Sequence, residues 1–368
     1  MKRILFLLSF LCFFLYNEVA LADPAAAAVI DAKTGRLLYA FNENEELPMA
    51  STTKVMTALI AIENCDPEAA VTAGDNAYGV PGTSIYLEKG ETLTMRDMLL
   101  GLMLASGNDA AVAIAEHVGG SVEGFCDMMN ARANQLGCVH THYVTPHGLP
   151  AADHYTSALD LCVIAREAMR NPLFRQIVST QRTTIPWQGH AYDRVLNNKN
   201  RLLSTYPGAI GVKTGYTKAA GRCLVFAAEG EKGITLIGSV LNCPDWFDYS
   251  ASLLDRVFAE YSLYTALNAG EIVNRIPVRN GIYDSVELIA EEALSAPLTE
   301  GETAELSFRW PQSIPAGIGK GEQIGAASLI VNGKTLCSVP LVAAEAVPER
   351  NFRFGLDTAA DHWLIWSK

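Results

Sequence analysis

The sequence predicts an α/β (α+β) fold: an antiparallel sheet flanked by helices, an all-helical subdomain inserted between the sheet's two ends, and a small C-terminal β-sandwich domain behind them. Three observations carry this prediction. Strand-like runs stand at Ala26 to Phe41 and again at Cys223 to Leu241. Between them, apolar residues recur at helical spacing from Met95 to Leu136 and from Ser157 to Ile177. After about Leu267 the pattern changes to short alternating runs separated by Gly and Pro, which reads as a sandwich.

Taken in order, the elements justify themselves locally. Lys2-Arg3, the apolar run Ile4 to Tyr16, and Ala20-Leu21-Ala22 before Asp23 read as a removable export signal, 1–22. Its apolar run is too short to span a bilayer unaided. Ala28 to Asp31 and Leu37 to Tyr39 flank Lys33-Thr34-Gly35, a turn-forming triplet, and so predict a hairpin. Ala50 to Ile60 has a polar start and an apolar continuation, which predicts a helix with Ser51 at its tip. Ser157-Ala158-Leu159-Asp160 opens the second helical stretch, and Pro172 stands near its expected end. Gly208 to Val212 leads into Lys213, and Glu229 to Gly233 reads as a hairpin turn. A last helix is expected through about Leu267. Ile276-Pro277-Val278, Val286 to Leu288, Ala304 to Phe308 and Ser328 to Val331 are the sandwich strands. The domain division is therefore 1–22, 23–267, 268–346 and a tail, 347–368. Phe352, Phe354 and Trp363 to Trp366 make that tail apolar, yet Asp357 and Asp361 interrupt it and a basic face is lacking, whereas interfacial helices are usually rich in Lys and Arg. Association with a membrane surface and packing on the protein both remain open for it.

Three motifs carry chemistry. Ser51-Thr52-Thr53-Lys54 places a hydroxyl and an amine three residues apart, which are neighbours on a helix surface. Lysine can take a serine proton only when neutral, so its pKa must be lowered by burial or by a nearby cation. Lys213, in Lys213-Thr214-Gly215-Tyr216-Thr217, is the expected source of that charge. Unpaired N–H groups of the first helical turn can face the oxyanion formed after attack. Ser106-Gly107-Asn108 supplies a second hydroxyl and an amide. A Ser-x-x-Lys tetrapeptide arises by chance on the order of once in a chain this long, so order and context decide. Lys33-Thr34-Gly35 repeats the third motif by letter, but turn chemistry alone explains it there, and Lys33 is expected in a solvated turn.

The set resembles the penicillin-recognising serine enzymes, and within them the low-molecular-weight D-alanyl-D-alanine carboxypeptidases, serine peptidase family S11. Pro81-Gly82-Thr83-Ser84, Leu104 to Ala111, Thr145-Pro146-His147-Gly148-Leu149 and Lys213 to Thr217 look like that family, and the likeness runs from about Ala26 to the low 340s. It implies a transpeptidase-like fold and a carboxypeptidase with Ser51 as acylated nucleophile, Lys54 as general base and Ser106 as proton relay. Asn108 would hold the substrate amide and the lysine; Lys213, Thr214, Gly215 and Thr217 would receive the terminal carboxylate. Lys199 lies where some members carry a basic residue, and some carry His where this chain has Tyr216. Peptidoglycan stem peptides ending in D-Ala-D-Ala are the implied substrates, β-lactams the implied covalent inhibitors, and cell-wall biogenesis the implied role. A class A β-lactamase would need a deacylating glutamate, and no Glu-x-x-Leu-Asn-type segment lies between Ser106 and Lys213. A wall-peptide binding module would not need a nucleophile with its own base.

Composition fits an exported enzyme acting at the cell wall, in the periplasm or on the outer face of the cytoplasmic membrane, where the tail could hold it peripherally. The formal net charge is −12 and argues against nucleic acid as a partner. No cofactor is expected. His140, His142, His147 and His154 invite a zinc reading, but a catalytic zinc needs three fixed ligands with a carboxylate in reach and no H-e-x-x-H-type spacing is present, so no metal is expected. Beyond Cys12, an odd set of cysteines remains, and their apolar contexts read as small buried hydrophobes rather than a disulfide framework.

Overall fold

A computed structural model describes residues 21–350; most of the expected export signal, at 1–20, and the aromatic tail, at 351–368, lie outside the described residues. Strands β1 (Ala26–Asp31) and β2 (Leu37–Phe41) form the expected hairpin, with Gly35 at φ 75°, a conformation glycine adopts without a Cβ clash. A 3-10 turn, Ala50–Thr53, runs straight into helix α1 (Lys54–Asn64). The helical subdomain follows. A short ladder, β3 (Ala70–Thr72) with β4 (Thr92–Thr94), precedes α2 (Met95–Leu100), and a wide turn at Gly101–Ala105 leads into α3 (Asn108–Gly119) and α4 (Val122–Gln135).

Helix α5 (Ala158–Met169) starts where Ser157 accepts a hydrogen bond from the Asp160 N–H. Pro172, expected near the end of this helix, instead opens a separate one, α6 (Pro172–Ser179). The reason is local: Asn171 caps the N–H groups of Leu173 and Phe174 at 2.9 and 3.3 Å, and proline lacks the N–H that a first turn leaves unpaired anyway. The hairpin of β5 (Arg182–Ile185) and β6 (Arg194–Asn197) and the short α7 (Leu202–Thr205) lead to β7 (Ala209–Thr217), β8 (Gly221–Glu229), β9 (Thr235–Leu241) and α8 (Trp246–Glu260).

The main sheet has five antiparallel strands in the order β2-β1-β9-β8-β7, so the two chain ends of the domain do meet in one sheet. Side chains alternate across a strand. Ala26, Ala28 and Ile30 accordingly face the helical subdomain with Val225 and Ile237, while Ala27 and Val29 face α8 with Leu236 and Leu254. Each fully buried Val, Leu or Ile contributes roughly 1.5–3 kcal/mol of transfer free energy.

The helix expected to reach Leu267 ends at Glu260. Ser262–Leu267 is strand β10, which pairs with β13 (Leu294–Leu298) across the strands β11 (Ile272–Arg279) and β12 (Ser285–Ala290) that intervene in sequence. Tyr264 and Thr265 favour extended backbone, and the partner strand decides the matter. With β14 (Ala304–Arg309), β15 (Ile314–Pro315), β16 (Gln323–Val331) and β17 (Lys334–Ala343), the β-rich domain forms a six-stranded sheet, β14-β16-β17-β12-β11-β15, over its own core. The tail begins as part of this domain, because Val347 is fully buried and bridges to Ile318. Lys33 is also less free than expected. Though exposed, its Nζ donates to Ala293 O at 2.5 Å and Ser295 Oγ at 3.1 Å, and Arg36 pairs with Glu302, so the β1–β2 turn holds the two domains together. Among the described residues no helix is long and apolar enough to cross a membrane.

One buried ion pair braces the loop beside the site. Arg194 donates to Glu91 at 2.5 and 2.6 Å with side chains only 4% and 2% exposed, and its Nη2 also reaches Tyr86 O at 3.0 Å. Arg194→Met should lower unfolding free energy by about 3–5 kcal/mol, because Glu91 would be left buried and unpaired. A urea midpoint within error of the parent would contradict this. Burial pushes the Glu91 carboxyl up, but the Arg194 hydrogen bonds and charge outweigh it and hold the group below its ordinary value. That stabilisation is therefore present above the ordinary carboxylate pKa and lost as pH falls through the lowered one.

Candidate active site

The 3-10 turn and the first turn of α1 present Ser51 half-buried above a fully buried Lys54. Lys54 Nζ lies 3.0 Å from Ser51 Oγ, 2.7 Å from Asn108 Oδ1 and 2.7 Å from the His147 carbonyl oxygen. The two carbonyl-type oxygens can only accept. A neutral amine has two N–H donors and one lone pair, so satisfying Asn108 and His147 leaves the lone pair for the Ser51 hydroxyl. Burial favours that neutral form and pushes the Lys54 pKa well below its ordinary value; the charges of Lys213 and Lys199 push the same way, and Asp109 opposes them. Burial is thus the larger cause, and Lys213, the cause expected from sequence, comes second.

Asn108 stands at the start of α3 and is 3% exposed, with its Nδ2 donating to Pro81 O at 2.6 Å. The next residue, Asp109, accepts from Ser84 Oγ at 2.6 Å and from the N–H groups of Ile85 and Leu87 at 3.0 Å each, which straps residues 81–87 against the site. Ser106 ends the wide turn at φ 66° and is 3% exposed; its hydroxyl has no hydrogen-bond partner among the described residues.

Strand β7 forms the opposite wall. A Cβ built on Gly215 would stand 2.9 Å from Ser51 N and 3.0 Å from Thr52 N, so glycine is what lets this strand lie against the nucleophile's turn. Lys213 is 1% exposed, with Nζ donating to Thr214 O at 3.0 Å. Burial, then the charge of Lys199, brings its pKa down to about 7. Thr214 is buried, Tyr216 is exposed, and Thr217 Oγ1 accepts from Ala220 N at 3.0 Å at the turn into β8, keeping its own proton available. Ser51, Lys54 and Asn108 are thus joined by hydrogen bonds, Gly215 by contact and Lys213 by charge. Thr217 lies at the far end of the same strand, where its hydroxyl serves the hairpin.

Sequence reasoning misses the His147 and Pro81 carbonyls, which carry no side-chain signal, and Asp109, whose position within Leu104 to Ala111 gives no sign that it straps residues 81–87. The histidines do not converge. His140 faces Glu46, His142 Nδ1 meets Asp153 O, His147 Nδ1 accepts from Leu149 N, and His154 bonds Thr53. Among the described residues no group of three or more His, Cys, Asp or Glu side chains is disposed to hold a metal. The described cysteines are free thiols, and all but Cys65 and Cys337 are buried.

A serine paired with a buried lysine at the junction of a five-stranded sheet and a helical subdomain is the arrangement that a serine peptidase with a lysine base requires. A family model described as D-alanyl-D-alanine carboxypeptidase, peptidase family S11, matches residues 18–245, and one described as penicillin-binding protein 5, C-terminal domain, matches residues 261–349. The chain belongs to the D-alanyl-D-alanine carboxypeptidase family S11. It is 33% identical over 353 residues to D-alanyl-D-alanine carboxypeptidase DacF of Bacillus subtilis, covering 93% of this chain and 90% of the relative. It is 37% identical over 238 residues to DacB2 of Mycobacterium tuberculosis, covering 63% and 81%. Penicillin-binding protein 5 from Haemophilus influenzae superposes with a TM-score of 0.71 at 28% identity, over 89% of this chain and 98% of that one.

Proposed function

We propose that this protein is a serine-type D-Ala-D-Ala carboxypeptidase that removes the terminal D-alanine from peptidoglycan stem peptides outside the cytoplasmic membrane and is acylated by β-lactams. The observation that carries this reading is the triple environment of Lys54 Nζ, which leaves its lone pair on the Ser51 hydroxyl. As Ser51 Oγ attacks the carbonyl carbon of the penultimate D-Ala, Lys54 takes its proton. The oxyanion faces the Ser51 N–H and the main chain of β7. The C–N bond then breaks, the terminal nitrogen takes a proton passed from Lys54 through Ser106, and D-alanine leaves. Water, deprotonated by Lys54, attacks the Ser51 ester; the acyl–Oγ bond breaks, Lys54 returns the proton to Ser51 Oγ, and the shortened peptide leaves. Lys213, with Thr214 and Thr217, receives the terminal carboxylate, and Asn108 holds the amide.

The test is steady-state release of D-alanine from diacetyl-Lys-D-Ala-D-Ala, with and without EDTA. Catalytic release at an unchanged rate in chelator is expected, since every group used belongs to the protein. A stoichiometric burst without turnover would favour a wall-peptide binding role, and a loss in EDTA restored by zinc would revive the histidine reading.

A further inference from the structure

We propose that His154 is a positioning residue for the oxyanion-binding N–H of Ser51, acting through Thr53 and the Ala50 carbonyl. The inference rests on the function proposed above and assigns work to a buried side chain that the reaction itself does not use.

The direction of each hydrogen bond follows from what its partners can do. His154 Nδ1 faces the Val144 N–H at 3.0 Å and, at 3.4 Å, that of Thr145; a backbone N–H can only donate, so Nδ1 accepts. A neutral imidazole accepting at Nδ1 carries its proton on Nε2. That nitrogen is 2.9 Å from Thr53 Oγ1 and therefore donates to it. The Thr53 hydroxyl is then left to donate its own proton to Ala50 O at 2.8 Å. The chain runs one way, from His154 to Thr53 to Ala50. Burial keeps the imidazole neutral and brings its pKa down to about 4, so this tautomer holds at working pH.

The Ala50 carbonyl matters because it shares a peptide plane with the Ser51 N–H. In a planar trans peptide the two point in opposite directions, so fixing the oxygen at one end aims the N–H at the other. Ala50 has φ 49°, a left-handed conformation that a non-glycine residue keeps only when its surroundings hold it there. Two neighbours do so. Gly148 lies so close that a Cβ on it would fall 1.9 Å from Ala50 O, and Thr53 bonds the same oxygen. On the N–H side, Gly215 leaves open the space beside Ser51 N that any larger residue would fill.

The experiment measures covalent labelling by a fluorescent penicillin as a function of its concentration, which separates the pre-covalent dissociation constant from the acylation rate constant. His154→Phe should slow acylation by about 10- to 100-fold, short of the ~10²–10³ typical of outright loss of an oxyanion donor, with the dissociation constant within about twofold of the parent. His154→Gln, which keeps an N–H towards Thr53, should recover most of that loss. Thr53→Val breaks the chain one link further on and should match His154→Phe, whether or not the latter folds. The double variant should be no slower than the slower single by more than about twofold, since both cut one path. Acylation at the parent rate in His154→Phe or Thr53→Val, a loss confined to the dissociation constant, a glutamine variant as slow as phenylalanine, or losses that multiply would each overturn the inference. A parent protein that takes no label overturns the proposed function and this inference with it.

Discussion

Replacing Ser51 with alanine is expected to abolish both D-alanine release and covalent labelling by penicillin, while leaving the protein folded. Ser51 is half-buried at the helix start, and among the described residues its Oγ has hydrogen-bond partners only in Lys54 Nζ at 3.0 Å and His147 O at 3.4 Å, so its loss removes little from the core. Lys54→Ala should retain the nucleophile but slow acylation by at least the ~10²–10⁴-fold of a lost, positioned general base. The rate of Lys54→Ala should also lose the dependence on pH that titration of Lys54 gives the parent. As the proposed base the lysine would act when neutral, so parent activity should rise with pH through its lowered pKa. Labelling of Ser51→Ala at another serine, or a Lys54→Ala enzyme of parental rate, would sink the assignment.

Lys213→Ala and Lys33→Ala are expected to separate cleanly, although both residues open a Lys-Thr-Gly triplet. Lys213 is buried on β7 beside the nucleophile's turn, so if it receives the substrate carboxylate as proposed, its loss should remove a charge-assisted hydrogen bond, typically ~1.5–3 kcal/mol, or roughly 10- to 150-fold in kcat/KM. Two shifts in the pH profile should accompany this. In its proposed role Lys213 would hold the carboxylate only when protonated, and its pKa in the free protein is brought down to about 7, so in the parent kcat/KM should fall as pH rises through that region. That limb should vanish in the variant. The acid limb should move to higher pH, because one of the charges that lowers Lys54 has gone, though burial, the larger cause, remains. Lys33→Ala should label and turn over normally. Its loss shows instead in stability, by about 1 kcal/mol, since an exposed ammonium gives up its bonds to Ala293 O and Ser295 Oγ. Similar kinetic losses in both variants would contradict the site.

The contrast between these two triplets shows what was legible before the structure. The β1–β2 hairpin was readable because Gly35 and two apolar runs are local signals, and the order of Ser51, Ser106 and Lys213 pointed to one acyl-transfer site. Helix α5 was readable from Ser157, whose capping role depends on residues three positions away. Pro172 reads as a helix end from sequence because a proline that ends one helix and one that starts the next look alike, and the Asn171 cap that decides between them is a three-dimensional feature. Strand β10 is not legible locally, because its partner β13 lies about thirty residues downstream in sequence, beyond any local pattern. At the site, side chains with distinctive chemistry were found and carbonyls were not. His147 was noticed for its ring, yet its main-chain oxygen is what touches Lys54. His154, one of four histidines whose spacing invites a zinc reading, lies in a hydrogen-bond chain instead.

The central claim is that Ser51 is the acylated atom's residue and Lys54 its base. The most direct measurement is peptide mapping by mass spectrometry of protein trapped with penicillin and quenched in acid. One adduct, carried by the peptide that contains Ser51 and absent from Ser51→Ala, is the predicted result. An adduct on any other residue, or an unmodified protein that nevertheless releases D-alanine, would contradict it.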